Sequence, residues 1–316
     1  MNLSTEFPQR ILGHGRPSES ASSDANTAVP EGVKVLHDCV DATVDICFVH
    51  GLTGGRDSTW TASGQSEPWP QTLLPPELPR ARILTYGYNA YEIRPLIKDG
   101  LSFHATNLIH DLETERTISN ESSRALIFVA HGLGGLVCKQ AILISHQAEH
   151  QAMCHCIHGI AFMGTPHTNL YDWNIPWATL RPSNFGFFHN VMRSLLDIFQ
   201  TEDQGIDLVR RQFLSLMQIQ KANDDQMEIA CFFEQRPLEK PPFVGFGPVV
   251  PKVHAILPDC HEIGIDKDHA GLTKFQSADE DGFKKLVGIL KTWEMPIAWG
   301  LGKLKLPVRS PNSRQP

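Results

Sequence analysis

Apolar positions along the chain alternate between short continuous runs and stripes spaced three and four residues apart. VKVLHDC (33–39), DICFVHG (45–51) and ARILTYGY (81–88) read as strands. RALIFVAH (124–131) is apolar almost throughout, as a central parallel strand is when both its faces are covered. GIAFMGTPH (159–167) and MEIACFFE (227–234) repeat that type, and HEIGID (261–266) is a shorter strand. Ala105, Leu108, Ile109 and Leu112 share one helical face, as do Phe283, Leu286, Val287, Leu290 and Trp293 near the end. Strands alternating with helices predict an α/β fold over 31–295, with a mostly parallel central sheet and helices on both sides.

Two further helical stripes lie between the fifth and sixth strands. One is Phe188, Val191, Met192, Leu195 and Phe199, the other Ile206, Val209, Phe213, Leu216 and Met217. An insertion over about 168–226 is therefore expected as a helical cap above the strand ends, with Trp173, Trp177 and Phe187 as candidates to line a pocket. Residues 1–30 and 296–316, rich in Ser, Pro and Gly or weakly patterned, are expected as a flexible leader and tail.

FVAHGLGGLVCKQA (128–141) has the outline of a nucleophile elbow: a strand, a glycine-bracketed turn, then what reads as an amphipathic helix. The elbow lifts its apex side chain clear of the sheet on a strained backbone. A serine is expected two places before Gly134, and that place is held by Gly132. Glycine adopts the required conformation at little cost, so the turn survives while the oxygen needed for an acyl-enzyme is gone. A dinucleotide loop is the competing reading of HGLGG, but it needs a third glycine where Val137 stands. No cofactor is implied.

The charge of -7 over 316 residues, with Lys and Arg scattered, gives no basic stripe, so nucleic acid is not an expected partner. Seven cysteines, several in apolar runs, suit a reducing compartment. No stretch reaches the length of a membrane span, and a soluble, cytoplasmic protein is the expectation. HQAEHQAMCHCIH (146–158) is dense in His and Cys, but its spacing matches no standard zinc motif and no metal is expected there.

Five blocks in order, HDCVDATVDICFVHGLTGGRDSTW, LLPPELPRARILTYGYNAY, LIFVAHGLGGLVCKQAIL, IAFMGTPH and KDHAGLTKF, resemble the serine-esterase-like, lipase-like α/β-hydrolase domain found at the amino end of fungal NOD-like receptors. The resemblance covers roughly 31–295 and departs at the elbow, which reads H-S-L-G-G in that family. It implies an α/β-hydrolase fold with an acid after one late strand and a histidine after the next. Glu234, ending MEIACFFE, and His269, in DKDHAGLTKF, stand at those places. Asp266 and Asp268 are nearer to His269, but side chains that close along the chain seldom reach the far ring nitrogen. Gly51 and Leu52 follow the strand that supplies half of an oxyanion hole, and the amide of Leu133 is the other half.

Three functions remain open. One is an esterase-derived protein with hydrolysis lost or very weak, using His269, Glu234 and the oxyanion donors for isomerisation or cyclisation of a carbonyl or acyl small molecule. Another is a non-catalytic module that binds a ligand or a protein partner. The last is an otherwise active esterase carrying glycine in place of serine.

Overall fold

The computed structural model describes residues 30–52, 54–90, 97–168, 204–237 and 247–298. Its strands are β1 (Gly32–His37), β2 (Val44–Val49), β3 (Ala81–Gly87), β4 (Ala125–His131), β5 (Ile157–Met163), β6 (Glu228–Glu234) and β7 (His261–Ile265). Its α-helices are α1 (Trp69–Thr72), α2 (Ile97–Ile118), α3 (Gly134–Ser145), α4 (Gln151–Cys156), α5 (Gln204–Ala222), α6 (Lys252–Ala255) and α7 (Asp281–Ala298). The strands form one sheet in the order β1-β3-β2-β4-β5-β6-β7. β1 pairs antiparallel with β3, and all other pairs are parallel.

Side-chain alternation along the inner strands feeds two cores. In β2, Cys47 and Val49 join the core under α2, α3 and α5, while Val44, Ile46 and Phe48 join the core against α1 and α7. Both faces of the sheet are thus covered, which is why β2 is buried along its whole length. A sheet of this order, with an elbow turn after β4 and crossovers that return each strand parallel, is the α/β-hydrolase fold. Its carboxyl edge collects Gly51 after β2, Gly132 after β4, Gly164 after β5, Glu234 at the end of β6 and His269 after β7.

Two expectations change. α3 is not amphipathic: of its residues only Gln140 and Leu143 escape burial, because the helix is wedged between the sheet, α2 and α5. The second helical stripe of the expected cap forms α5, which lies on α3 with Phe213, Val209 and Leu216 in the main core. It covers a sheet face, because its apolar stripe completes the layer that α2 and α3 begin. The leader, the tail from 299, the first helical stripe of the expected cap, and Trp173, Trp177 and Phe187 lie outside the described residues.

Candidate active site

At the apex Gly132 has φ +52°, the left-handed region where a side chain is strained. Its amide donates to the Met163 carbonyl at 3.0 Å and its carbonyl accepts from Gly135 at 3.1 Å, so the turn is fixed by backbone alone. A Cβ built on Gly132 would lie 3.5 Å from His269 Nε2 and 3.9 Å from Gly51 Cα, ordinary contact distances. Its neighbours have no such room. A Cβ on Gly134 would stand 2.3 Å from the His50 carbonyl oxygen, and one on Gly135 would stand 2.1 Å from Thr165 Oγ1. These glycines are demanded by close approach of α3 to β2 and to the segment after β5.

His269 projects from the loop after β7 with its Nδ1 3.5 Å from Glu234 Oε1. That separation is within ion-pair reach but long for a hydrogen bond. Glu234 is buried at the end of β6, where its Oε1 accepts the Val250 amide and its Oε2 has no hydrogen-bond partner. Gly164, at φ +62°, lets the backbone pass under the imidazole: a Cβ there would be 2.9 Å from His269 Cε1. The Cε1–Nδ1 edge of the ring therefore packs against both Gly164 and Glu234, with Nε2 turned toward the apex.

Gly132, Glu234 and His269 are thus brought together, and Gly51 approaches the apex. The two nearer aspartates are turned elsewhere. Asp266 pairs with Arg236 on the surface, and Asp268 Oδ1 accepts the Gly271 amide at 2.8 Å. Among the described residues no backbone acceptor takes the amides of Leu52 or Leu133. Leu133 is the N-cap residue of α3, so its amide has no partner within the helix.

Of the neighbours, His50 stood in the sequence at the oxyanion strand end beside Gly51, while Tyr88 and His131 gave no signal of a role at the site. His50 Nδ1 lies 2.8 Å from the Gly51 carbonyl, its Nε2 receives the Tyr88 amide at 3.3 Å, and its ring stacks on Tyr88 with centroids 4.5 Å apart. That arrangement requires the proton on Nδ1, and it fixes the peptide whose N–H is Leu52. Burial lowers the His50 pKa to about 4, so the ring is neutral near pH 7. His131 is buried beside His269, with ring centroids 4.7 Å apart and Nε2 3.2 Å from the His269 carbonyl. Burial first, and the neighbouring His269 second, keep it well below the ordinary imidazole range. A ring that must donate to a carbonyl and stay uncharged props the His269 backbone without competing for its protons. These partners lie 38 and 138 residues apart along the chain.

Deeper on the α3 side, Lys139 is fully buried with its Nζ 5.4 and 5.3 Å from the ring centres of Phe162 and Phe213 and no hydrogen-bond partner. Burial brings its pKa down to about 7. In the histidine- and cysteine-rich connection, His150 pairs with Glu113, His146 Nδ1 reaches the Ile142 carbonyl and Cys156 Sγ donates to the Ser122 carbonyl. Among the described residues no group of three or more His, Cys, Asp or Glu is gathered as a metal site would need.

No family model matches the chain. Among curated proteins it is similar to protein SERAC1 of Mus musculus, 22% identical over 282 residues that make up 79% of this chain and 39% of that protein. It is also similar to protein SERAC1 of Bos taurus, 21% identical over 308 residues, covering 86% of this chain and 43% of that protein. The chain spans about two fifths of the length of these relatives. Among solved structures it is similar to the mature lipase BlEst2 of Bacillus licheniformis, with TM-score 0.46 and 16% identity, covering 80% of this chain and 95% of that one. The NocB thioesterase domain from a nocardicin cluster gives TM-score 0.41 and 14% identity over 84% of this chain and 99% of that domain.

Proposed function

We propose that this chain carries an esterase-type pocket for a carbonyl or acyl compound, in which serine-based hydrolysis is lost and His269 with Glu234 handles protons. The observation that carries the reading is the apex: Gly132 keeps the elbow conformation, its absent side chain would point at His269 Nε2 at 3.5 Å, and Glu234 stands behind the same ring. Removing the serine from such a triad costs on the order of a million-fold in turnover, so ordinary ester hydrolysis at a useful rate does not fit Gly132. What remains is a base and a pair of backbone donors, Leu52 and Leu133, enough to shift a proton beside a carbonyl and to steady the resulting oxyanion. Isomerisation or cyclisation of a carbonyl metabolite needs nothing more.

A binding role without turnover, by analogy with the receptor domains that the five sequence blocks resemble, draws support from the slack in the dyad. Glu234 Oε2 and His269 Nδ1 are both buried without a hydrogen bond, as in a site under no demand for proton transfer. We place either activity in the cytoplasm, since none of the seven cysteines forms a disulfide. No helix among the described residues is long and apolar enough to cross a membrane.

The decisive experiment is Gly132→Ser. The contacts at the apex leave space for the side chain, and an esterase-type pocket is expected to gain hydrolysis of a short-chain 4-nitrophenyl ester by about a thousandfold or more, with labelling by a phosphonate probe. A folded variant that stays silent toward both would refute the pocket reading.

A further inference from the structure

We propose that His269 is itself an acyl acceptor, its Nε2 taking the acyl group from an activated ester or thioester whose carbonyl oxygen rests on the Leu52 and Leu133 amides. The proposal rests on the pocket reading above and adds a covalent step to it. In a serine enzyme the apex oxygen stands between the imidazole and the substrate. Here, among the described residues, nothing stands there. A Cβ on Gly132 would meet only Nε2 at 3.5 Å and Gly51 Cα at 3.9 Å, so a carbonyl carbon can advance into the space a hydroxyl would fill. Near-attack geometry asks for about 3–3.5 Å between reacting atoms, which that advance supplies.

The ring is set up for attack. Glu234 faces its Nδ1 at 3.5 Å, which favours the tautomer with the proton there and the lone pair on Nε2. The Gly164 backbone closes on that same edge, where a Cβ would lie 2.9 Å from Cε1 and 3.0 Å from Nδ1, so Nε2 is the nitrogen left facing the apex. The Nε2 lone pair forms a bond to the acyl carbon, and the carbon–oxygen or carbon–sulfur bond breaks with its electron pair leaving on phenolate or thiolate. The positive charge of the acyl-imidazolium is relieved by passing the Nδ1 proton to Glu234. Water then adds to the acyl carbon and gives one proton to solvent, the imidazole departs as Glu234 returns its proton to Nδ1, and the carboxylic acid leaves ionised, its remaining proton also released to solvent. A weaker leaving group, such as an alkoxide, cannot be displaced by imidazole, so activated acyl donors are the substrate class.

The test uses the full chain with 4-nitrophenyl acetate. Expected is a burst of about one 4-nitrophenolate per chain, with a matching acetyl adduct in the peptide that holds His269 after a rapid quench. His269→Gln should slow the burst by about tenfold or more, and Glu234→Gln, which keeps the imidazole, should slow it less. His261→Gln, on an exposed histidine at the start of β7, should leave it unchanged. In Gly132→Ser the adduct should move from His269 to the new hydroxyl. The unreactive amide 4′-nitroacetanilide separates the possible failures. Saturable binding of the amide without a His269 adduct overturns the acyl acceptor and spares the pocket; neither binding nor adduct overturns both.

Discussion

Two buried carboxylates sit at opposite ends of the same sheet and are treated in opposite ways. Asp45, at the amino end of β2, is fully buried and receives Arg82 Nε at 2.9 Å and Nη2 at 3.0 Å, Arg116 Nη1 at 2.9 Å and Arg124 Nη1 at 3.0 Å. Glu115 and Glu121 take further nitrogens of this cluster, so three guanidinium groups meet three carboxylates. Glu234, at the carboxyl end of β6, has one amide donor and one imidazole at 3.5 Å. A saturated carboxylate is locked into the fold, whereas an under-satisfied one keeps the capacity to accept a proton or a partner. The difference teaches that burial of charge is not itself a sign of function; unspent hydrogen-bonding capacity at the carboxyl ends of the strands is the better pointer.

The comparison breaks most visibly at its saturated end. Asp45→Asn leaves three buried guanidinium groups short of an anion and is expected to cost about 3–5 kcal/mol, read from urea or thermal unfolding. A loss below about 1 kcal/mol would mean that the cluster is no stronger than a surface pair.

A smaller effect comes from acid. The folded chain holds His50 at about 4 while the unfolded chain titrates near 6.5, so between those values the unfolded state binds the extra proton and stability falls as pH falls. From pH 7 to pH 5 His50 alone is expected to remove about 2 kcal/mol, and buried His131 and His167 act in the same direction. An unfolding midpoint flat across that range would show that these rings are not buried neutral.

Lys139 works the same way on the alkaline side. Its amine deprotonates near 7 when folded and near 10.5 when unfolded, so stability should rise by about 1 kcal/mol from pH 7 to pH 8. Lys139→Met should abolish that rise; an unchanged slope would assign it elsewhere. The smallest effect is expected at the other end of the comparison. Glu234→Gln keeps an oxygen for the Val250 amide and should change stability by less than about 1 kcal/mol, measured by the same unfolding curve. A loss as large as that of Asp45→Asn would erase the contrast between the two carboxylates.

Much of this was legible in the sequence, for physical reasons that differ by residue. The five inner strands announce themselves because strands covered on both faces are apolar almost throughout, whereas the edge strands β1 and β7, partly exposed, read from short mixed patterns. The apex was legible because Gly134 and Gly135 are forced by close packing, and that signature persists whatever occupies 132. Glu234 and His269 were singled out by the resemblance to the esterase-like domain rather than by position alone, and the structure brings them to 3.5 Å while their roles stay a proposal. The Asp45 cluster was not legible, since its arginines come from positions 37, 71 and 79 residues away and read individually as surface charges. Lys139 was hidden for the opposite reason: a lysine in a helix reads as the solvent side, and only the packing of α5 over α3 encloses it.

The site is strung across strands of unequal permanence. The apex hangs from β4, which has a strand on either side, whereas His269 hangs from β7, the short outermost strand. Amide hydrogen exchange should be slowest in β2 and β4, whose opening requires the whole domain to come apart, and faster in β7, where peeling from β6 suffices. Such peeling would carry the imidazole away from its carboxylate while the rest of the molecule stays native, so the pair we propose to handle protons could be switched off by a fluctuation far cheaper than unfolding.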